Sequence, residues 1–232
     1  MDGQADGRTG RPPLTERRRE ATRMEIADEA VRLFVTQGVA VTTAEDIAAA
    51  AGISTRTLWR YFRSKEECAR PLLTAGLDLV TERLRDYWRG GSSLTQAMPS
   101  AQDPGVIGTR RLEALRDLVR LSRDEPGLRA VWLETHFDAE TVFARAIADG
   151  SDRSEHDLAV RLEAGMLNAA LRIAVEDWAL QPDQPDGRPL GETLAHALHV
   201  MTELLDAEPS VTAGQKPRRT NRFPATGAPP GR

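Results

Sequence analysis

The sequence predicts an all-α protein: an N-terminal three-helix unit carrying a helix-turn-helix, followed by a larger helical bundle. Three observations carry that prediction. Alanine, leucine and arginine dominate while aromatic residues make up only 5% of the chain, a balance that favours helix over sheet. Apolar residues recur at intervals of three and four along successive segments separated by Gly- and Pro-containing breaks, the period of helices with one buried face. And the stretch from Thr42 to Lys65, TTAEDIAAAAGISTRTLWRYFRSK, reads as two short helices about a tight turn.

Residues 1–14, MDGQADGRTGRPPL, are rich in Gly and polar residues and are expected to be disordered. Arg8 and Arg11 would make this segment a basic arm for a DNA groove, or it is only a flexible tail. A helix begins near Thr15, with Glu16 in its first turn and Arg17, Arg18, Arg19 and Arg23 following. Ile26, Ala30, Leu33 and Phe34 form its inward stripe, and it stops at Gln37–Gly38. Thr43 is placed to cap the next helix, with Glu45 and Asp46 in the positive first turn and Ile47, Ala48 and Ala51 on its apolar side. Gly52 ends it, Ser54 caps the following helix, and Leu58 and Phe62 stand four apart on that helix's buried side.

The outward face of this second helix shows Thr55, Arg56, Thr57, Arg60 and Tyr61, all hydrogen-bond donors. Held at a fixed angle by the preceding helix, such a face suits the DNA major groove. Arg56 is placed for guanine edges; Thr43, Ser54, Trp59, Tyr61 and Lys65 are placed for phosphates. The alternative is an ordinary helical hairpin with a solvated polar face. Charge favours DNA: residues 1–65 hold 11 Lys/Arg against 9 Asp/Glu, a balance of +2, whereas residues 66–232 hold 20 against 26, a balance of −6 that makes the whole chain −4.

The words LF…GV…TT..DIA..AGIS..TLWRYF.SKEE together make the segment from about Arg18 to Lys65 resemble the DNA-binding domain of TetR-family (tetracycline-repressor-like) transcription regulators. The resemblance covers roughly residues 15 to 70, with one departure: Trp59 stands where the family more often has Tyr. An indole N–H still donates to a phosphate, so the role is expected to survive with altered geometry.

Beyond the reader, Ser64-Lys65-Glu66-Glu67 has the form of a capping box opening a fourth helix. Pro71, about two turns in, should kink or restart it, which would place a hinge between the two parts. Leu72, Leu73, Leu77, Val80 and Leu84 carry this helix to about Trp88. A break follows from Gly90 to Gly105, with a short turn of helix expected at Leu94–Met98. Further helices are expected from Ile107 to Ser122, from near Pro126 to Asp149, from Ser154 with Asp157 to Trp178, and from Leu190 to Asp206. The tail from Pro209 lacks a core pattern and is expected to be disordered. The expected division is therefore a basic arm (1–14), a DNA-binding domain (15–65), a helical effector-binding and dimerisation domain (66–207) and a tail (208–232).

No Gly-rich phosphate loop, HExxH, CxxC or nucleophile-elbow motif is present, so an enzyme, a metal site and a cofactor are not expected. His196, His199 and Glu192 share a helix, but two imidazoles and a carboxylate are common on ordinary helices. The lone Cys68 rules out an intrachain disulfide, and no apolar run reaches the length of a membrane span, so no membrane partner and a cytoplasmic location are expected.

The resemblance implies double-stranded DNA with a palindromic operator as partner, a homodimer closed by the last two long helices, and a small-molecule effector pocket in the second domain. Candidates for the interface are Leu158, Leu162, Gly165, Ala169 and Ile173 on one helix and Leu194, Leu198 and Met201 on the other; the same residues would serve equally to fill a monomer's core. Trp88, Trp132, His136, Phe137, Met166, Asn168 and Trp178 combine large apolar surfaces with a few polar tips, as pocket residues do, and each would also suit a core. The expected function is a sequence-specific DNA-binding regulator, a repressor released from its operator by the effector. The alternatives are a helical small-molecule-binding protein or enzyme with an incidental helix-turn-helix, and a regulator that answers to no ligand.

Overall fold

The computed structural model describes residues 14–88, 90, 108–151, 153–182 and 188–206. These form α1 (Leu14–Gln37), α2 (Ala44–Ala50), α3 (Thr55–Tyr61), a 3₁₀ turn (Glu66–Ala69), α4 (Arg70–Trp88), α5 (Gly108–Leu121), α6 (Pro126–Asp149), α7 (Leu158–Leu180) and α8 (Leu190–Asp206), with no strand among the described residues. The expected basic arm, the helical turn at Leu94–Met98 and the tail lie outside the described residues.

The first three helices fold by burying the stripes their sequences advertise. Ile26, Ala30, Val31 and Phe34 of α1 cover Ile47 and Ala48 of α2 and Leu58 of α3, each 2% exposed or less. Burying a side chain the size of Leu58 stabilises by roughly 1.5–3 kcal/mol. Leu33, expected in the stripe, sits at its rim, and Val31 takes the buried position.

That core does not stop at residue 65. Phe62 leads into Cys68 and Leu72, and these pack into the same cluster as Leu118, Leu128, Val131, Trp132 and Trp178 of the bundle. A second cluster fills the far end, with Leu84, Phe143, Ile147, Val160, Leu171, Leu194 and Leu198. Cys68 is fully buried, and burial, followed by the charges of Glu66 and Glu67, pushes its thiol up to about 12. It is a packing residue with no accessible thiolate.

Several expectations are corrected here. Ser64 Oγ does accept the Glu67 N–H (3.2 Å), but the Glu67 carboxylate accepts from the Arg63 N–H (2.9 Å), so the box is not reciprocal. The chain makes a 3₁₀ turn first, and Pro71 is therefore the second residue of α4. A proline there lacks an N–H that would have no intrahelical partner anyway, so it restarts the helix and kinks nothing. At α7, Asp157 and not Ser154 occupies the N-cap, and Asp157 accepts the Ser154 N–H (3.1 Å).

Leu194 and Leu198, expected at a dimer interface, are 3% and 0% exposed and fill the protomer's own core, because that side of α8 packs on α7. Trp178, expected in a pocket, joins the core shared with the reader, where the Arg116 guanidinium lies 5.3 Å from its ring centroid. Phe137 is 73% exposed. One residue beyond His136, it is rotated by a helical step away from the interior.

Candidate DNA interface and effector pocket

The geometry of α2 and α3 is fixed from both ends by short-range bonds. Thr43 Oγ1 accepts the Asp46 N–H (3.1 Å), while Asp46 Oδ2 accepts the Thr43 N–H (2.9 Å) and hydroxyl (2.7 Å). Those two bonds hold the Asp46 carboxyl below the usual carboxylate range. Gly52 then turns the chain at φ +65°, a conformation with little penalty only for glycine. Ser54 Oγ accepts the Thr57 N–H (3.1 Å) and lies 2.9 Å from the Thr57 hydroxyl. With Leu58 driven into the core, Arg56 and Arg60 are left exposed and Thr55 half-exposed on the opposite side, and Trp59 is 46% exposed.

Two features of this face escaped the sequence reading. Arg19 and Arg60 flank the Tyr61 ring at 5.8 and 5.5 Å, and Arg23 lies 5.2 Å from the Phe62 ring. The early turns of α1 thus add positive charge beside α3; the signal was the spacing of Arg19 and Arg23, one helical turn apart. Lys65, expected to reach a phosphate, donates from Nζ to the carbonyls of Val39 (2.6 Å) and Thr42 (2.8 Å). It staples the loop before α2 to the end of α3 and keeps one N–H for an outside partner.

Inside the bundle, an apolar pocket lies between α4 (Leu73, Gly76, Leu77, Leu79, Val80), α5 (Leu115), α6 (Trp132, His136), α7 (Leu171, Val175) and α8 (Leu190, Leu194). Its cavity volume, the space open to the centre of a water-sized sphere, is about 50 Å³. Of the residues expected here, Trp132 and His136 form the wall, their rings edge-on with centroids 4.2 Å apart. Asn168 stands behind His136, bonded to its Nδ1 (2.8 Å) and to Glu140 (3.1 Å). Met166 is half-buried on α7 and lines no part of it, and the Trp88 side chain is outside what is described. Burial, the largest influence on His136, holds its pKa below the ordinary imidazole value. The aliphatic residues of α4 were not anticipated, because a leucine lining a pocket and one filling a core have the same periodicity.

The pocket and the reader share two helices. α4 supplies the pocket's largest wall and begins where the reader ends. α6 carries Trp132 and His136 and, one turn apart, Glu134 and Asp138, which grip Arg70 at 2.6 and 3.4 Å. Where α6 starts, Gly127 lies so close to the 3₁₀ turn that a Cβ would stand 2.9 Å from Glu66 Cγ.

A third surface is apolar and exposed. Leu158, Leu162 and Ile173 on α7 are 69%, 56% and 56% exposed, with Gly165 and Ala169 between them. Phe137 borders Leu158 and Leu162 along one groove. On α8, Leu204 is 72% exposed, and Met201 is half-buried against the core. Elsewhere, His199 Nε2 lies 3.3 Å from Glu203, and no group of three or more His, Cys, Asp or Glu able to hold a metal occurs among the described residues. No helix among them is long and apolar enough to cross a membrane.

Comparison with known proteins agrees with the geometry of the reader. Residues 26–71 match the model of bacterial regulatory proteins, tetR family, and residues 93–206 match that of the MftR C-terminal domain. The HTH-type transcriptional regulator TcmR of Streptomyces glaucescens is 32% identical over 182 residues, 74% of this chain and 79% of that protein. The HTH-type transcriptional repressor KstR2 of Rhodococcus jostii is 36% identical over 150 residues, 59% of this chain and 70% of that one. Among solved structures, Thermus thermophilus FadR, a TetR-family repressor in complex with lauroyl-CoA, aligns at 23% identity over 90% of this chain and 100% of its own, with a TM-score of 0.48.

Proposed function

The chain belongs to the tetR family of bacterial regulatory proteins and is a DNA-binding transcriptional regulator, and we propose that it acts as a homodimeric repressor released by a small molecule. Residues 15–65 read DNA, residues 66–207 bind the effector and the second protomer, and the protein works in the cytoplasm without enzymatic activity. Arg56 contacts base edges. Thr43, Ser54, Thr55, Thr57, Trp59, Arg60, Tyr61 and Lys65 position the phosphates, with Arg19 and Arg23 adding charge from α1.

One observation carries the reading: α4, which packs on α1, and α6, whose first turns join the reader's core cluster, both line the pocket. An occupant that spreads these helices favours a state in which two α3 helices no longer match successive major grooves, roughly 34 Å apart. The exposed stripe on α7 supports the dimer, since lone protomers rarely leave such a surface to water.

Protection mapping of the purified protein on the DNA flanking its own gene tests this directly. A protected two-fold site is expected, with affinity that falls steeply as salt rises. A uniform, unprotected ladder would reject specific recognition. Within that assay, Arg56→Ala is expected to cost about 1–3 kcal/mol on the protected site and much less on random DNA. Equal losses on both would make Arg56 a phosphate contact.

A further inference from the structure

One side chain that lines the pocket carries a polar atom without a partner among the described residues. His136 is 3% exposed, and its Nε2 is buried without a hydrogen-bond partner among the described residues. A chain of three groups decides what that atom offers. The Glu140 carboxylate accepts hydrogen bonds, so Asn168 turns its NH₂ toward Glu140 Oε1 (3.1 Å) and its carbonyl toward His136. Asn168 Oδ1 then accepts the proton on His136 Nδ1 (2.8 Å). A neutral imidazole carries a single N–H. Nε2 is therefore a lone pair.

Among the described residues, the surrounding wall offers that lone pair nothing. Leu73, Leu77, Leu171 and Leu194 are aliphatic, and the Trp132 indole N–H is already given to Glu176 (2.9 Å). Resting on the effector reading above, we propose that the effector is an uncharged, largely apolar molecule with one hydrogen-bond donor, a hydroxyl in the simplest case, which donates to His136 Nε2. An anionic head group is selected against twice. It would set acceptor against acceptor, and its charge would be desolvated against an aliphatic wall.

Three probes that share one apolar body separate the possibilities in calorimetric titrations of the full chain without DNA. 2-Naphthol is expected to bind about tenfold more tightly than 2-methoxynaphthalene, which has no donor. 2-Naphthoate is expected to bind about 100-fold more weakly than the naphthol. His136→Phe keeps a ring and removes the acceptor, so it should erase the difference between naphthol and methoxynaphthalene. A second measurement needs no variant: nitrogen NMR of histidine-labelled wild-type protein should show Nδ1 protonated and Nε2 pyridine-like, with Nε2 shifting when 2-naphthol binds. A protonated Nε2 in the free protein, equal affinities for the three probes, or no binding of 2-naphthol would each overturn the proposal. DNA affinity is measured separately with and without 2-naphthol. Selective binding without loss of DNA affinity would leave the hydroxyl-accepting pocket standing and remove the effector role.

Discussion

Leu58→Ala is expected to destabilise the protein by about 2–5 kcal/mol, the cost of emptying a fully buried leucine site. Leu58 is the residue by which α3 is held, because the rest of that helix faces water or lies at the rim. Its loss should therefore weaken specific DNA binding beyond what stability explains, by letting α3 rock against α2. Denaturant unfolding gives the first quantity, and titration of the protected DNA site at low temperature, where the variant stays folded, gives the second. A variant that loses stability and keeps full affinity would show that α3 is positioned by its Ser54 cap and the Lys65 staple alone.

Leu162→Arg is expected to break the proposed dimer. A two-fold interface presents the same patch on both sides, so each substitution is met twice. Leu162 is 56% exposed in the protomer, which means that an arginine there leaves the protomer's fold almost unchanged. Desolvating two guanidiniums in an apolar seam should raise the dimer dissociation constant by at least about 100-fold. Sedimentation equilibrium reads this without DNA. An unchanged dimer mass would remove α7 from the interface and turn attention to Leu204 on α8.

How much was legible depended on the range over which each feature is determined. The caps at Thr43 and Ser54, the turn at Gly52 and the limits of α8 are set by neighbours within a few residues, and the structure places them where the sequence puts them. Of the two outcomes open for Pro71, a kink or a restart, one short 3₁₀ turn decides for the restart by moving the proline from a helix interior to a helix start. Lys65 could not be read, because its partners lie 23 and 26 residues earlier and nothing local distinguishes a staple from a free ammonium. The two faces of α7 and α8 were the hardest. Periodicity identifies an apolar side, but Leu162 and Leu198 carry the same side chain, and only packing decides which one remains uncovered.

The core shared by the reader and the bundle sets a limit on what can be done with this protein. Phe34, Ile47 and Leu58 belong to one cluster with Leu118, Leu128 and Trp178. A fragment ending at residue 65 would expose that cluster's open side, so the reader is not a cassette to be cut out or exchanged for another regulator's. Heating should instead melt both parts in a single calorimetric transition, with matching van't Hoff and calorimetric enthalpies. Chimeras will need their seam redrawn through α5, α6 and the end of α7, so that the residues covering the grafted helices travel with them.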